Sequence, residues 1–265
     1  MLYPTDLTNS QWQAIKLLLP LKIGQRKRKQ SIRAIINGIL YVVKGGISWR
    51  MMPTDWPDWR LVYYYFRQWA KQGLVQQIHD QLVTKVRLQA GREASPSLGL
   101  IDSQSVKTMS VTTLKGYDGN KKLTGRKRFI VVDVLGLVLA LRLSSANVGE
   151  RAGALLVFTA LGQRFTRLKT ILADQGFDGV DFLASVKATY QLTVEVVCGV
   201  LGVKGFQVVP KPHRRTGWIV ERTFGWWAFH RRLAKDYEVK ESHAEAVIYW
   251  TMIRLMSRKI RGTQS

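Results

Sequence analysis

The sequence predicts an α/β fold, a mixed sheet with helices, preceded by a small all-α domain that is helix-turn-helix-like. Through residues 8–91 the apolar side chains recur at helical spacing, and glycines such as Gly73 interrupt them where tight turns are expected. After a polar linker at 91–97, short apolar runs typical of strands alternate with helical segments. We therefore expect a helical domain at 1–91 and an α/β domain at 98–265.

The individual elements follow from these patterns and from residues that start or stop helices. The segment that begins at Thr8 offers a capping residue for the first helix, Pro20 is expected to stop that helix, and a basic loop precedes the second helix. The other predicted helices are Ser31–Val43, Asp58–Lys71, Leu74–Leu88, Glu150–Phe165, Val180–Tyr190, Thr216 to about Lys235 and His243–Arg258. The predicted strands are Leu98–Asp102, a hairpin of Phe129–Asp133 and Leu137–Leu143 whose turn Asp133 caps, Leu168–Asp174, Gln191–Cys198 and Phe206–Val209.

The composition favours a nucleic-acid partner. The chain has 265 residues, 46% of them apolar, which is enough for a sizeable core. Its 41 Lys and Arg against 18 Asp and Glu give a net charge of +23, which favours a polyanion. No basic amphipathic helix with a lipid-facing side stands out, so nucleic acid is preferred to a membrane. Cys198 is the single cysteine and no secretory signal is apparent, so we expect a cytoplasmic protein.

The strand pattern places two carboxylates at the edge of the predicted sheet. Asp102 and Asp174 each end a predicted apolar strand, and ligand sites of open α/β sheets collect at strand ends. If the two strands are neighbours, the like charges repel each other unless a cation lies between them, and carboxylate oxygens suit Mg²⁺ or Mn²⁺. In the alternative interpretation, each aspartate simply forms the turn that follows its strand.

A third carboxylate, Glu221, stands out by its surroundings. It is the single acid among residues 211–235, which include seven Lys or Arg. On a helix that faces DNA, a lone carboxylate repels phosphate unless it binds a metal ion. Small residues on the same helical face indicate that another molecule approaches closely, and these are Gly217, Gly225 and Ala228. Alternatively, Glu221 pairs with one of three neighbouring arginines, Arg214, Arg215 or Arg222.

At these residues the chain resembles bacterial insertion-sequence transposases of the DDE class, in the family named after insertion sequence five. The resemblance extends over nearly the whole chain. In the N-terminal part the similar motifs are Leu7–Trp12, Gly46–Arg50 and Phe66–Trp69. In the remainder they are Ile101–Lys107 around the first acid, the basic turn Gly116–Arg128, Leu172–Phe177 around the second acid, and Trp218–Trp226 around the third, followed by Arg231–Leu233 and Asp236–Glu238.

The resemblance implies an RNase H-like catalytic domain in a DNA transposase that binds insertion-sequence ends, cleaves strands and transfers them. Asp102, Asp174 and Glu221 would be the catalytic and metal-binding residues and would hold two Mg²⁺ ions, for which Mn²⁺ can substitute. The expected partners are double-stranded DNA, both transposon ends and target, and further copies of the chain in a homodimer or higher oligomer, with no membrane and with action at the bacterial nucleoid. The residues expected to contact DNA are Arg26, Lys27, Arg28, Lys29, Arg50, Arg60, Arg67, Lys107, Lys121, Lys122, Arg126, Lys127, Arg128, Arg214, Arg215, Arg222, Trp226, Arg231 and Arg232.

The chain departs from the family's pattern at three positions. Phe129 stands where a histidine is expected, Gly217 where a basic residue is common, and Ala228 where a related signature has lysine. The tryptophans near Glu221 are expected in the core, with stacking of one of them on an unpaired base as the alternative, and these are Trp218, Trp226 and Trp227. Three other classes stay open: a stand-alone metal-dependent DNA nuclease on the same fold, a DNA-binding descendant without catalysis, and a purely structural basic protein.

Overall fold

The chain divides into two compact units. One consists of Met1–Arg92 with Trp227–Ser265, and the other is Glu93–Trp226. The computed structural model describes residues 3–19, 30–109, 111–112, 114–197 and 216–260. Several predicted features lie outside the described residues, namely the strand Phe206–Val209 and the DNA contacts Arg26, Lys27, Arg28, Lys29, Arg214 and Arg215.

Helices and strands make up most of the described residues. The helices are α1 (Asn9–Lys16), α2 (Ile32–Gly45), α3 (Trp59–Lys71), α4 (Leu74–Gln89), α5 (Glu150–Leu161), α6 (Val180–Tyr190), α7 (Thr216–Ala228), α8 (Arg231–Ala234) and α9 (Glu241–Lys259). The strands are β1 (Leu98–Lys107), β2 (Gly116–Asp118), β3 (Leu123–Val132), β4 (Val138–Ser145), β5 (Thr170–Ala173) and β6 (Thr193–Val196). Within the described ranges, no helix combines the length and the hydrophobicity that a membrane span needs.

Local residues set the helix boundaries in the helical unit. Thr8 and Gln11 form a capping box at the start of α1, in which each side chain accepts a hydrogen bond from the other residue's backbone N–H. Ser31 caps α2 through its side chain, and Gly46 ends that helix with a φ of 72°, a conformation that glycine adopts without strain. The helices predicted in residues 8–91 are confirmed to within a few residues.

The core of the helical unit includes the C-terminal helices. Trp227 and Trp250 are both fully buried, and the indole Nε1 of Trp227 donates a hydrogen bond to the sulfur of Met252 at 3.3 Å. Trp250 of α9 also packs against Trp69 of α3, with ring centroids 6.0 Å apart. The chain after Trp226 therefore packs with the N-terminal helices, whereas a division of function at residues 91 and 98 stays a prediction.

The described strands of the second unit form one mixed sheet. β1 pairs antiparallel with β3, and β3 pairs antiparallel with β4, while β2 pairs with the first residues of β3. On its other side β1 pairs parallel with β5, which in turn pairs parallel with β6. Three antiparallel strands followed by two parallel ones form the RNase H-like sheet that the resemblance implied, so the predicted α/β fold class is confirmed.

Helix α5 covers the antiparallel part of this sheet. Phe129 of β3 is fully buried and lies directly against Gly153 of α5, where a Cβ atom would overlap its ring. Phe158 and Leu161 of the same helix are also buried. The position at which a histidine was expected thus faces the interior of the unit, where an apolar ring packs against the helix.

Several predictions of element boundaries are wrong. The strand predicted at Phe129–Asp133 begins at Leu123, and the helix predicted at Glu150–Phe165 ends at Leu161. The strand predicted to end at Asp102 continues to Lys107, because β3 supplies antiparallel partners as far as the pair of Lys107 with Gly125. The helix predicted from Thr216 to about Lys235 ends at Ala228 and resumes at Arg231. Between the two helices His230 is buried and extended, with a φ of −112° and a ψ of 105°, so tertiary packing overrides helix propensity there.

Replacing Gly153 by alanine is expected to lower the free energy of unfolding by about 1–3 kcal/mol, because the added methyl group overlaps the Phe129 ring. Gly225→Ala is the matched control. Gly225 is also helical but has nothing within 4 Å of its Cβ position, so this change is expected to raise the free energy of unfolding by up to about 1 kcal/mol. Thermal unfolding measures both effects, and equal midpoints for the two variants would contradict the packing of α5 on β3.

Candidate active site

The parallel pairing of β1 with β5 brings two of the predicted acids onto adjacent strands. Leu100 pairs with Leu172, and Asp102 and Asp174 each follow two residues later. The condition that the sequence analysis left open, that the two strands are neighbours, is therefore met. Asp174 follows β5 directly and caps the short 3-10 turn Gln175–Phe177, where its Oδ1 accepts a hydrogen bond from Gly176 N at 2.9 Å.

Glu221 of α7 borders the same cavity as the two aspartates. This cavity has a volume of about 210 Å³. Its lining residues are Leu100, Ile101, Asp102, Leu172, Ala173, Asp174, Val197, Gly217, Val220 and Glu221. Asp102 is half-buried, whereas Asp174 and Glu221 are exposed. Three carboxylates that are far apart in the sequence therefore surround one opening that solvent can reach.

The hairpin between β3 and β4 positions the helix that carries Glu221. Thr223 is fully buried and its Oγ1 donates a hydrogen bond to the carbonyl oxygen of Gly136 at 2.9 Å. Gly136 has a φ of 78°, and a Cβ atom there would lie within 2.9 Å of Thr223 Oγ1 and 3.1 Å of an Arg222 side-chain nitrogen. Asp133 caps this turn, as predicted, because its Oδ1 accepts from the backbone N–H groups of Leu135 and Leu137. The tight turn thus lets α7 approach the sheet.

Asp102 has an unusually high pKa. Burial raises the pKa of its carboxyl from 3.8 to about 6, although the hydrogen bond that Ser103 N donates to Oδ1 at 2.6 Å opposes this rise. The charges of Asp174, Glu150 and Glu221 raise the pKa further. The same repulsion that raises the pKa would be relieved by a cation among these carboxylates.

Carboxylate oxygens are the ligands that Mg²⁺ and Mn²⁺ prefer, so the donors around the cavity fit a divalent cation in kind. In the part of the chain that the structure describes, no three His, Cys, Asp or Glu side chains stand close enough together to hold one ion. Mg²⁺ is commonly held by one or two carboxylates, with water and substrate phosphates completing its shell. The arrangement therefore fits an open site shared with a substrate better than a closed protein cage.

The predicted DNA contacts in the second unit differ in their exposure. Lys107, Lys121 and Lys122 are exposed to solvent. Three basic residues of β3 are buried instead and bind groups of the protein: Arg126 donates to Leu114 O, Lys127 to Val148 O and Glu150 Oε1, and Arg128 to Gln104 Oε1. A phosphate contact by these three stays a prediction that their burial argues against.

The helical unit presents exposed arginines next to aromatic rings. Arg50 and Arg60 each place the guanidinium carbon 5.7 Å from the Trp59 ring centroid, and Arg67 lies 5.6 Å from that of Tyr63. Arg231 is exposed as well. Arg232, by contrast, is buried in an ion pair with Glu238 at 2.6 Å, so the structure gives it an intramolecular partner.

Arg222, the residue after Glu221, lies between two tryptophans of α7. Its guanidinium carbon is 4.8 Å from the ring centroid of Trp218 and 5.0 Å from that of Trp226. Trp218 is 57% exposed, so its expected place in the core is wrong, whereas Trp227 is buried as expected. Cation–π contacts of this kind hold the guanidinium group against the aromatic faces of its own helix.

Sequence reasoning missed one acid near the cavity. Glu150 is the first residue of α5, and its charge contributes to the high pKa of Asp102. An acid in the first turn of a helix is common because it interacts favourably with the helix dipole, so the local sequence offers no sign of another role. The tertiary fold is what brings Glu150 to Asp102.

Comparison with known families identifies the chain. A family model described as "Transposase DDE domain" matches residues 93–256, which is more than half of the chain. The chain belongs to the DDE transposase family. A second model, described as "Putative transposase of IS4/5 family", matches residues 7–79 of this transposase. It is also similar to the "Insertion element IS402 uncharacterized 16.2 kDa protein" of Burkholderia cepacia, with 29% identity over 109 residues that cover 37% of this chain and 70% of the relative.

The family match confirms that the protein is a transposase of the insertion-sequence type, a class of enzymes that cut and transfer DNA strands. The matched range 93–256 includes the cavity and all three acids that line it. The roles of individual residues in the transposase stay predictions.

For the transposase without divalent cations, Asp102→Asn is expected to raise the free energy of unfolding by about 1–2 kcal/mol near neutral pH. The pKa of Asp102 is about 6 in the folded chain and 3.8 ordinarily, so the folded state binds the proton more tightly. Its stability therefore falls as the pH rises from about 4 to about 6, and the variant escapes that loss.

Denaturant unfolding in EDTA at a series of pH values measures this difference. Glu195→Gln, which removes an exposed charge from β6, is the control and is expected to change little. A difference between Asp102→Asn and the parent protein that is the same at about pH 4 and about pH 8 would contradict the prediction.

Proposed function

We propose that this transposase binds the ends of an insertion sequence and catalyses metal-dependent strand cleavage and strand transfer with Asp102, Asp174 and Glu221. The observation that carries the proposal is that these three carboxylates line one cavity within the part of the chain that matches the DDE family. The effect of Asp174 and Glu221 on the pKa of Asp102 supports a shared site, because it requires that their charges act on one another.

The cofactor proposed is a pair of Mg²⁺ ions, for which Mn²⁺ can substitute. Asp102, Asp174 and Glu221 would be the residues that hold these ions. When bound, such ions supply charge stabilisation for the attacking and leaving oxygens of an in-line phosphoryl transfer. The mixture of a half-buried and two exposed carboxylates supports this scheme, because an open set of donors leaves positions for the DNA phosphate.

Residues of the chain hold the carboxylates in place. Ser103 N donates to one oxygen of Asp102, and Gly176 N donates to one oxygen of Asp174, so each aspartate keeps its second oxygen for a cation. The hydrogen bond of Thr223 to the hairpin fixes the helix that carries Glu221. Carboxylate ligands that are already oriented need little reorganisation during the reaction, and such preorganisation is a main source of catalytic power.

DNA is the substrate that the family implies, and the chain has the charge to bind it. The net charge is +23. Exposed lysines of the same unit, such as Lys121 and Lys122, would contact phosphates, which gives affinity without sequence information. The exposed arginines of α3, Arg60 and Arg67, would belong to the surface that reads the transposon ends. A homodimer or higher oligomer would hold two ends together, at the nucleoid in the bacterial cytoplasm.

The test is a strand-transfer reaction with DNA that carries the element's ends, a target plasmid and Mg²⁺. The parent protein is expected to cleave and join, and Asp102→Ala is expected to do neither while still binding DNA, because binding depends on the basic surface. Glu195→Gln serves as the matched control and is expected to retain activity. EDTA is expected to stop the reaction and Mn²⁺ to restore it.

The same reaction separates the alternatives. Cleavage without joining would assign a stand-alone nuclease, and DNA binding without either reaction would assign a descendant that has lost catalysis. Equal output from the parent protein and Asp102→Ala would contradict the catalytic role of the cavity.

A further inference from the structure

A partly buried polar network centred on Glu150 lies beside Asp102. Its Oε1 accepts hydrogen bonds from Ser103 Oγ at 3.0 Å and from Lys127 Nζ at 3.2 Å. Lys127 is also 3.8 Å from Asp118, and the side chains of Lys127 and Asp118 are only 9% and 8% exposed. Glu150 thereby connects the first turn of α5 to both β1 and β3.

Glu150 touches both segments that carry the aspartates. Ser103, its hydrogen-bond donor, is the residue that follows Asp102 and also donates its backbone N–H to Asp102. A side chain at Gly176 would begin 3.0 Å from Cγ of Glu150 and 3.1 Å from Oδ1 of Asp174, so Glu150 also lies beside the turn that Asp174 caps. Glu150 thus lies against Ser103, which follows Asp102, and beside Gly176, which binds Asp174.

The network has an excess of negative charge. Two carboxylates, those of Asp118 and Glu150, share the single ammonium group of Lys127. Among the described residues, the second oxygen of Glu150, Oε2, is buried and has no hydrogen-bond partner. A buried acceptor without a partner lowers the stability of the folded state. The fold nevertheless retains such an acceptor near Asp102. The arrangement leaves uncompensated negative charge next to Asp102.

A purely structural role would give a different arrangement. An acid at the start of a helix interacts favourably with the helix dipole wherever its side chain points. That role would not need a hydrogen bond to Ser103 or a place beside Gly176. The contacts on β1 and at the β5 turn are therefore what call for a further explanation.

We propose that Glu150 is a fourth carboxylate of the active site, a positioning residue that orients Asp102 through Ser103 and adds the negative charge that attracts a divalent cation. The inference rests on the proposed function, because it assumes that Asp102 and Asp174 bind the cation. Residues behind the direct ligands commonly fix ligand orientation, and losing one weakens metal affinity by roughly 10–100-fold.

The test measures Mn²⁺ binding to the whole protein by electron paramagnetic resonance of the free ion, without DNA and at one pH. Glu150→Gln keeps the shape and an acceptor for Ser103 but removes the charge, and it is expected to weaken Mn²⁺ binding by about tenfold or more. Glu93→Gln is the matched control, since it removes the same charge from an exposed ion pair with Arg167 and is expected to leave binding unchanged.

The outcomes distinguish this inference from the proposed function. If Asp102→Asn abolishes binding but Glu150→Gln binds as tightly as the parent protein, the positioning role is overturned and the proposed function stands. If the parent protein binds no Mn²⁺ that depends on Asp102, the metal-dependent function fails and the inference fails with it. Should Glu150→Gln unfold, Ser103→Ala takes its place: severalfold weaker binding supports the proposal, and unchanged binding overturns it.

Discussion

The parallel pairing of β1 with β5 is the constraint on which the candidate active site depends. The pairing is short, Leu98–Leu100 against Thr170–Leu172, yet it sets the positions of the two aspartates that follow. A slip of one residue would turn one carboxylate to the opposite face of the sheet. Gly99 keeps the strands closely packed, because a Cβ there would lie 2.9 Å from Ile171 and 3.0 Å from Val131. Apolar packing beneath the cavity therefore fixes the polar groups at its rim.

The register also brings like charges together, and their repulsion connects the fold to the proposed function. The pKa of Asp102 is raised to about 6 by burial and by three neighbouring carboxylates. A fold under selection for stability alone gains nothing from like charges at one opening. Their retention is understandable if a cation and a DNA phosphate complete the arrangement, since the charges then become the source of binding. Glu150 adds a further negative charge near Asp102, and Lys127 neutralises only part of the charge of Glu150 and Asp118.

Some residues of the site could be predicted from the sequence and others could not. The pattern around Asp102 and Asp174 predicted two strands that each carry an acid, because an apolar run followed by a carboxylate is a local signal. Whether the two strands are neighbours stayed open until the fold showed their pairing. Glu221 was selected because it is the single acid in a basic segment and because the segment resembles the family's third-acid motif. Burial of Arg126, Lys127 and Arg128 was not predictable, because a basic stretch looks the same whether it faces DNA or a polar network. Glu150 was missed because the residues that it contacts, such as Ser103 and Lys127, are distant from it in sequence.

The central claim is that Asp102, Asp174 and Glu221 belong to one active site and together hold its divalent cations. Fe²⁺ bound in place of Mg²⁺, with ascorbate and peroxide, generates hydroxyl radicals that cut the polypeptide near the ion. The account predicts cuts close to all three residues in the same sample, each suppressed by excess Mg²⁺ and lost together in Asp102→Asn. Cuts near only one of the three, or cuts that Asp102→Asn leaves unchanged, would contradict the claim.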